Sequence, residues 1–138
     1  MIRAEIYLPK ADWTVYAYIA VHEYYTFEIL DKMREIGADM DFRRRAFENL
    51  MSGQVNNGLT FSNPKERESV WVTALTSSAG EFFNTIVHEI RHLEQHIAND
   101  LDLDENSEAV CYLSGDIALA LFPYCKDLLC EHCRRKNS

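Results

Sequence analysis

Apolar and polar side chains alternate at the start of the chain, and this two-residue period predicts β-strands. The first two stretches flank a turn that contains Pro9, so they are expected to pair as a hairpin. Two more strands are predicted on either side of an Asn63-Pro64 turn, and the second of these is rich in β-branched and aromatic residues. The predicted strands cover residues 2–8, 13–19, 59–62 and 69–75.

Elsewhere the apolar residues recur with the period of an α-helix. Gly37 is placed to end the first helix and Gly53 the second, and an Asn57-Gly58 turn leads from there into the third strand. Pro123 is expected to break or kink the last helix. The predicted helices cover about residues 25–36, 42–50, 78–98 and 107–122.

The resulting element order is ββααββαα, which predicts a single α+β domain over residues 1–138. A chain of 138 residues with 47% hydrophobic side chains is long enough to bury one core. No internal repeat or linker divides the sequence.

The charge balance argues against two classes of partner. The chain has 22 acidic and 14 basic residues, a net charge of −8, so it is not expected to bind nucleic acid or an anionic membrane. No apolar run approaches the ~20 residues that span a bilayer. The N-terminal residues lack the apolar core of a secretory signal, which predicts a cytoplasmic protein with reduced cysteines.

The third helix, which a Ser78–Glu81 capping box begins, carries the clearest chemical signal. His88 and His92 are four residues apart, so both side chains project from one face and can bind the same ion. Glu89 lies beside that face, where it can reach a metal-bound water without binding the metal. Zinc hydrolases use this spacing. The opposite face is expected to be an apolar stripe of Phe83, Ile86, Ile90, Leu93 and Ile97.

A catalytic zinc needs a third protein ligand. His96 is excluded, because eight residues of straight helix separate it from His88 by ~12 Å. Glu108 begins the last helix on a face shared with Tyr112, and we expect this face to pack against the histidines. The helix N-terminus also favours an ionised carboxylate there. Glu105, about one turn earlier in an acidic run, is the alternative.

An HExxH helix followed by a glutamate on the next helix resembles the gluzincin group of zinc metallopeptidases. The stretch SEAVCYLSGDIALALFP is also similar in pattern to the corresponding helix of ImmA/IrrE-type metallopeptidases. The resemblance covers roughly residues 69–123 and implies a minimal zincin-like domain. By that resemblance His88, His92 and Glu108 would bind zinc and Glu89 would be the catalytic base.

Two further features follow from the resemblance. Residues 69–76 would form the edge strand beside the zinc helix and receive an extended peptide. Tyr112 stands where these families usually place an acidic residue, and Asp116, one turn later, would replace it as a hydrogen-bond partner of a histidine.

The expected reaction is hydrolysis of a peptide bond in a peptide or protein substrate, with Zn²⁺ as the cofactor. A zinc hydrolase of non-peptide amides has the same residues. The alternative from another class is a non-catalytic protein-binding module with a structural zinc. Tyr112, Tyr124, Arg91 and His96 are open candidates for an oxyanion donor.

The cysteines near the C-terminus offer a second, weaker metal signal. Cys125, Cys130 and Cys133, with His132, provide enough donors for a structural zinc, but the chain lacks a second well-spaced Cys pair. Packing of small apolar side chains on a C-terminal helix is the favoured interpretation.

Overall fold

The computed structural model describes residues 1–52 and 58–136. The predicted Gly53 helix stop and Asn57 of the predicted turn lie outside these ranges. The α+β class and the predicted element order are confirmed, and a short helix follows at the C-terminal end. The strands are β1 (Ile2–Leu8), β2 (Trp13–Val21), β3 (Leu59–Asn63) and β4 (Glu68–Ala74). The α-helices are α1 (Thr26–Glu35), α2 (Met40–Met51), α3 (Ala79–Asp100), α4 (Glu108–Cys125) and α5 (Glu131–Lys136), with 3₁₀ turns at Glu23–Tyr25 and Lys126–Leu129.

The four strands form one mixed sheet in the order β1-β2-β4-β3. The hairpin β1–β2 is antiparallel, β2 and β4 are parallel, and β3 pairs antiparallel with β4. The expectation that residues 69–76 form an edge strand is therefore wrong, because β4 lies between two neighbours and β3 is the edge. Val70, Trp71 and Val72 are fully buried, as expected for a strand covered on both faces.

Helices cover both faces of the sheet and create two apolar clusters. On one face, Ile29 and Met33 of α1 and Leu50 of α2 pack against Val70 and Val72 of β4. On the other face, apolar residues of α3 and α4 pack against β1, β2 and Trp71, and this second cluster includes Trp13, Phe82, Ile86, Ile90, Leu93, Ile97, Leu113, Ile117 and Leu121. The alternation along β4 thus directs successive side chains to opposite helical layers.

The local chemistry of two helix ends confirms their predicted positions. Gly37 has φ +105°, and the bonds Gly37 N–H to Arg34 O (3.0 Å) and Ala38 N–H to Met33 O (2.9 Å) end α1 in a Schellman motif. At the start of α3 the Ser78 hydroxyl accepts a hydrogen bond from the Glu81 N–H at 3.1 Å. Both signals are local in sequence, so they need no tertiary context.

The apolar stripe of α3 differs from the prediction at its first member. Phe82 is fully buried, whereas Phe83 is 59% exposed and Val87 is 51% exposed. The two phenylalanines are 100° apart around the helix, and both fit the apolar period. The sheet lies on the Phe82 side of this half of α3, so Phe82 joins the core and Phe83 faces solvent.

Pro123 does not break α4, which continues to Cys125. A proline removes one backbone donor, but beyond it the bond from Lys126 N–H to Phe122 O still forms. The helix therefore keeps one buried apolar face on both sides of the proline, which comprises Val110, Leu113, Ile117, Leu121 and Cys125. Within residues 1–52 and 58–136, no helix has both the length and the apolar character needed to cross a membrane.

Candidate metal centre

His88 and His92 lie on the solvent-facing side of α3, and their rings meet. The two Nε2 atoms are 3.2 Å apart, and the ring centroids are 4.9 Å apart at an interplanar angle of 69°. The His88 side chain is 53% exposed, so an ion or a substrate can approach from solvent. Helical spacing alone produces this arrangement, because residues i and i+4 lie one above the other.

Glu89 points into the protein instead, and it is only 1% exposed. Its Oε2 atom accepts a hydrogen bond from the Thr60 hydroxyl of β3 at 2.9 Å. Its Oε1 atom lies 3.9 Å from His88 Nε2. Burial raises the pKa of the Glu89 carboxyl, while the Thr60 hydrogen bond and the two nearby histidines act in the opposite direction. One oxygen is thus held by β3, and the other lies near the histidine pair.

Gly58 makes the close approach of β3 to Glu89 possible. A Cβ atom at this position would lie 1.6 Å from the Val72 carbonyl oxygen and 3.0 Å from Glu89 Cγ. Only glycine can pass so close to a backbone oxygen. The sequence predicts Gly58 only as a turn residue and assigns no role to Thr60, because nothing in a strand's period says which helix side chain it will face.

The donor atoms of His88, Glu89 and His92 all lie within 4.8 Å of one another. Two nitrogen ligands at 2.0–2.1 Å in a tetrahedral zinc site would be about 3.3–3.4 Å apart, close to the observed Nε2–Nε2 separation. The Nε2–Nε2 separation is therefore compatible with two ligands of one zinc ion. The same separation also suits a hydrogen bond between the rings, and a zinc measurement distinguishes the two.

The structure does not bring Glu108 or Glu105 into this group, within the residues it describes. The expected packing of the Glu108–Tyr112 face against the histidines is wrong. The α4 helix packs against α3 through the apolar core and through a hydrogen bond from the Ser114 hydroxyl to Glu94. Tyr112 lies near the β1–β2 turn instead, where Lys10 Nζ is 5.9 Å from the centroid of its ring. The ligand role of Glu108 stays a prediction.

Two other predicted acidic residues have different partners. Glu105 Oε2 lies 3.9 Å from an Arg91 guanidinium nitrogen, and that arginine also bonds Glu94. Asp116 lies 3.3 Å from Lys10 Nζ, so its expected hydrogen bond to a histidine is not found. Lys10 stands in the β1–β2 turn, far along the sequence from α4, and no local pattern predicts this pairing.

His96 belongs to a polar chain that runs under β3. Its Nδ1 atom is 2.7 Å from Ser62 Oγ, Ser62 Oγ is 2.7 Å from Ser69 Oγ, and the Trp13 indole N–H donates to Ser69 Oγ at 2.8 Å. Burial lowers the pKa of His96, and His92 lowers it further. This histidine is engaged with the sheet, which agrees with its exclusion as a ligand.

The four cysteines are free thiols, of which Cys125 is buried and Cys111 and Cys130 are exposed. Among the described residues, His88, Glu89 and His92 are the one group of three or more His, Cys, Asp or Glu side chains close enough together to hold a metal ion. The C-terminal cysteines do not form a second such group.

No protein-family model, curated protein or solved structure matches this chain. Any function proposed for it depends on the geometry of its own residues.

Proposed function

We propose that the protein is a zinc-dependent hydrolase that cleaves peptide bonds, with His88 and His92 as zinc ligands and Glu89 as the catalytic base. The observation that carries this proposal is the juxtaposition of two Nε2 atoms 3.2 Å apart with a buried carboxylate whose Oε1 lies 3.9 Å from one of them. A bound zinc ion would lower the pKa of water and polarise the scissile carbonyl.

Glu89 supplies the proton transfers in this proposal. Thr60 holds Oε2, so the carboxylate cannot rotate freely, and Oε1 stays on the histidine side. From there Oε1 can take a proton from the attacking water and deliver it to the leaving amine. Thr60 is a positioning residue, because it acts through Glu89.

The substrate surface in this proposal is the outer edge of β3. One side of β3 is paired with β4, so its other side has backbone groups to which an extended peptide can bond. Thr60 on the same strand contacts Glu89, so a peptide bound along this edge would pass close to the base. The acidic chain favours a peptide over a nucleic acid.

The third ligand and the zincin-like architecture belong to the same proposal. Glu108 begins α4, and binding of its carboxylate to the zinc requires this first turn to approach the histidines. The cytoplasmic location also stays a prediction.

The experiment is hydrolysis of casein by untagged protein, without chelator, with chelator, and after zinc is restored. A Glu81→Gln variant serves as a control, because Glu81 lies in the first turn of the same helix and remote from the histidines. We expect activity that chelator removes, that zinc restores and that Glu81→Gln retains. Zinc binding without hydrolysis of casein or of the protein's own chain would instead favour the non-catalytic binding module.

A further inference from the structure

The C-terminal helix α5 is attached to the start of α3. The Ala79 N–H donates to the Glu131 carboxylate at 2.6 Å, and the Arg134 guanidinium donates to the Thr76 carbonyl at 2.5 Å and to the Leu128 carbonyl at 3.4 Å. These bonds hold residues 130–134 in a fixed position. The attachment point lies nine residues before His88, so this region is separate from the histidine pair.

Two thiols share the first turn of α5. Cys130 immediately precedes the helix, and its carbonyl accepts the first helical hydrogen bond from Arg134 N–H at 2.9 Å. Cys130 has the extended backbone of an N-cap residue (φ −126°, ψ 122°), and Cys133 is the third residue of the helix, so the Cys130 side chain lies on the side of the first turn where Cys133 begins. Cys130 is exposed and Cys133 is half-buried, so the pair is accessible from solvent.

The remaining cysteines provide a contrast within the same chain. Cys125 is buried, and burial raises the pKa of its thiol to about 11, which keeps it protonated and unreactive. The hydrogen bonds to Cys130 lower the pKa of its thiol, whereas the pKa of Cys133, the donor to Cys130, is raised. Cys130 is the thiol of this pair that more readily forms a nucleophilic thiolate.

We propose that Cys130 and Cys133 form a redox-active dithiol that exchanges with low-molecular-weight or protein disulfides. The Cys130 thiolate attacks one sulfur of a disulfide RSSR, so a mixed disulfide forms and one RS⁻ leaves. The Cys133 sulfur, after losing its proton, attacks the Cys130 sulfur, and the second RS⁻ leaves as the internal disulfide closes. The protein dithiol is oxidised, RSSR is reduced, and the two thiol protons end on two RSH molecules.

The test uses the full chain, reduced, then exposed to oxidised glutathione, quenched with acid, denatured, alkylated and digested with trypsin. Cleavage after Lys126 and Arg134 places Cys130 and Cys133 together in one peptide, and Cys111 and Cys125 in the preceding one. We expect the peptide of residues 127–134 to escape alkylation and to lose about 2 Da, the two hydrogens of a closed disulfide. The preceding peptide is the internal control and should contain no internal disulfide.

Single substitutions separate the two roles. Cys133→Ser should stop the reaction at a Cys130–glutathione mixed disulfide, and Cys130→Ser should make Cys133 react roughly ten-fold more slowly than Cys130 does. Equal or reversed rates would overturn the assignment of Cys130 as the attacking thiol. A wild-type peptide that remains a dithiol, or that carries two glutathiones, would overturn the redox pair itself.

Discussion

The α3 helix buries two glutamates, Glu89 at 1% exposure and Glu94 at 5%, and their surroundings differ. Glu94 faces α4 and accepts hydrogen bonds from the Ser114 hydroxyl of α4 and from the guanidinium of Arg91 on its own helix. Glu89 faces β3, where it accepts a hydrogen bond from the neutral Thr60 hydroxyl, and within the described residues its ion-pair candidate is His88 at 3.9 Å. Among the described residues no lysine or arginine pairs with Glu89.

The two carboxylates therefore differ in whether a contribution to the stability of the fold is enough to explain their burial. A buried charge that is paired and hydrogen-bonded, like that of Glu94, can serve packing alone. Glu89 is equally buried but has fewer charged partners among residues 1–52 and 58–136, and burial raises the pKa of its carboxyl. In the proposal, a cation held by His88 and His92 would add to the compensation of this buried carboxylate.

The largest expected effect is on activity. Glu89→Gln should lower kcat/KM by about 10²–10⁴-fold, the range of a lost general base, while the zinc content is unchanged. The amide can still accept the Thr60 hydrogen bond, so the fold should persist. Steady-state kinetics and elemental analysis on the same preparation check this. Loss of zinc together with activity would show that Glu89 is a ligand and not the base.

The matched substitution on the other side of α3 is Glu94→Gln. It should lower the free energy of unfolding by about 1–3 kcal/mol, the scale of a buried hydrogen bond to a charged group, and change kcat/KM little. Denaturant unfolding followed by circular dichroism measures the first quantity. If Glu94→Gln abolished hydrolysis without destabilising the protein, Glu94 would have a role in the reaction and the two glutamates would not differ in function.

The third ligand gives a smaller effect. The sequence predicts that Glu108→Ala weakens zinc binding by at least ~10-fold, the scale of a lost metal contact, and that Glu105→Ala changes it little. Competition with a chromogenic chelator measures both affinities. Since α4 packs against the apolar side of α3, a ten-fold loss in Glu108→Ala would mean that its first turn approaches the histidines when zinc binds. Affinities in the opposite order would transfer the role to Glu105.

The smallest expected effect is on the pH dependence of the free energy of unfolding, and it concerns His96 on the side of α3 that faces β3. The pKa of His96 is lowered in the folded protein, so the unfolded chain binds its proton more tightly. The stability that this neutral histidine provides is present above the unfolded pKa of about 6.5 and is lost as the pH falls below it. His96→Gln should therefore flatten the loss of stability between about pH 7 and 5, measured on metal-free protein. If the free energy of unfolding fell equally steeply with pH in His96→Gln, His96 would not contribute to the pH dependence of stability.

Features that depend on neighbouring residues could be predicted from the sequence, and features that depend on which elements meet could not. The Gly37 stop, the Ser78 cap and the convergence of His88 with His92 arise within one or two helical turns. The position of β4 inside the sheet depends on β2 and β3 together.

The orientation of α4 is a feature that depends on which elements meet. This helix buries one face at the apolar period but also carries exposed apolar residues, Leu119 at 74% and Phe122 at 55%, so its pattern does not say which neighbour each face meets. The hydrogen bond from Thr60 to Glu89 joins positions 29 residues apart and depends on the glycine at 58, and no periodic pattern encodes it.

The zinc content of the protein decides whether His88 and His92 form a metal site. Untagged wild-type protein, purified with zinc supplementation and dialysed, should contain about one zinc per chain, because in the proposal His88, His92 and a third protein ligand would bind a single ion. Glu89→Gln should retain that zinc, and His92→Asn should lose it. A wild-type content near zero would contradict the account and leave the 3.2 Å contact as a hydrogen bond between two histidine rings.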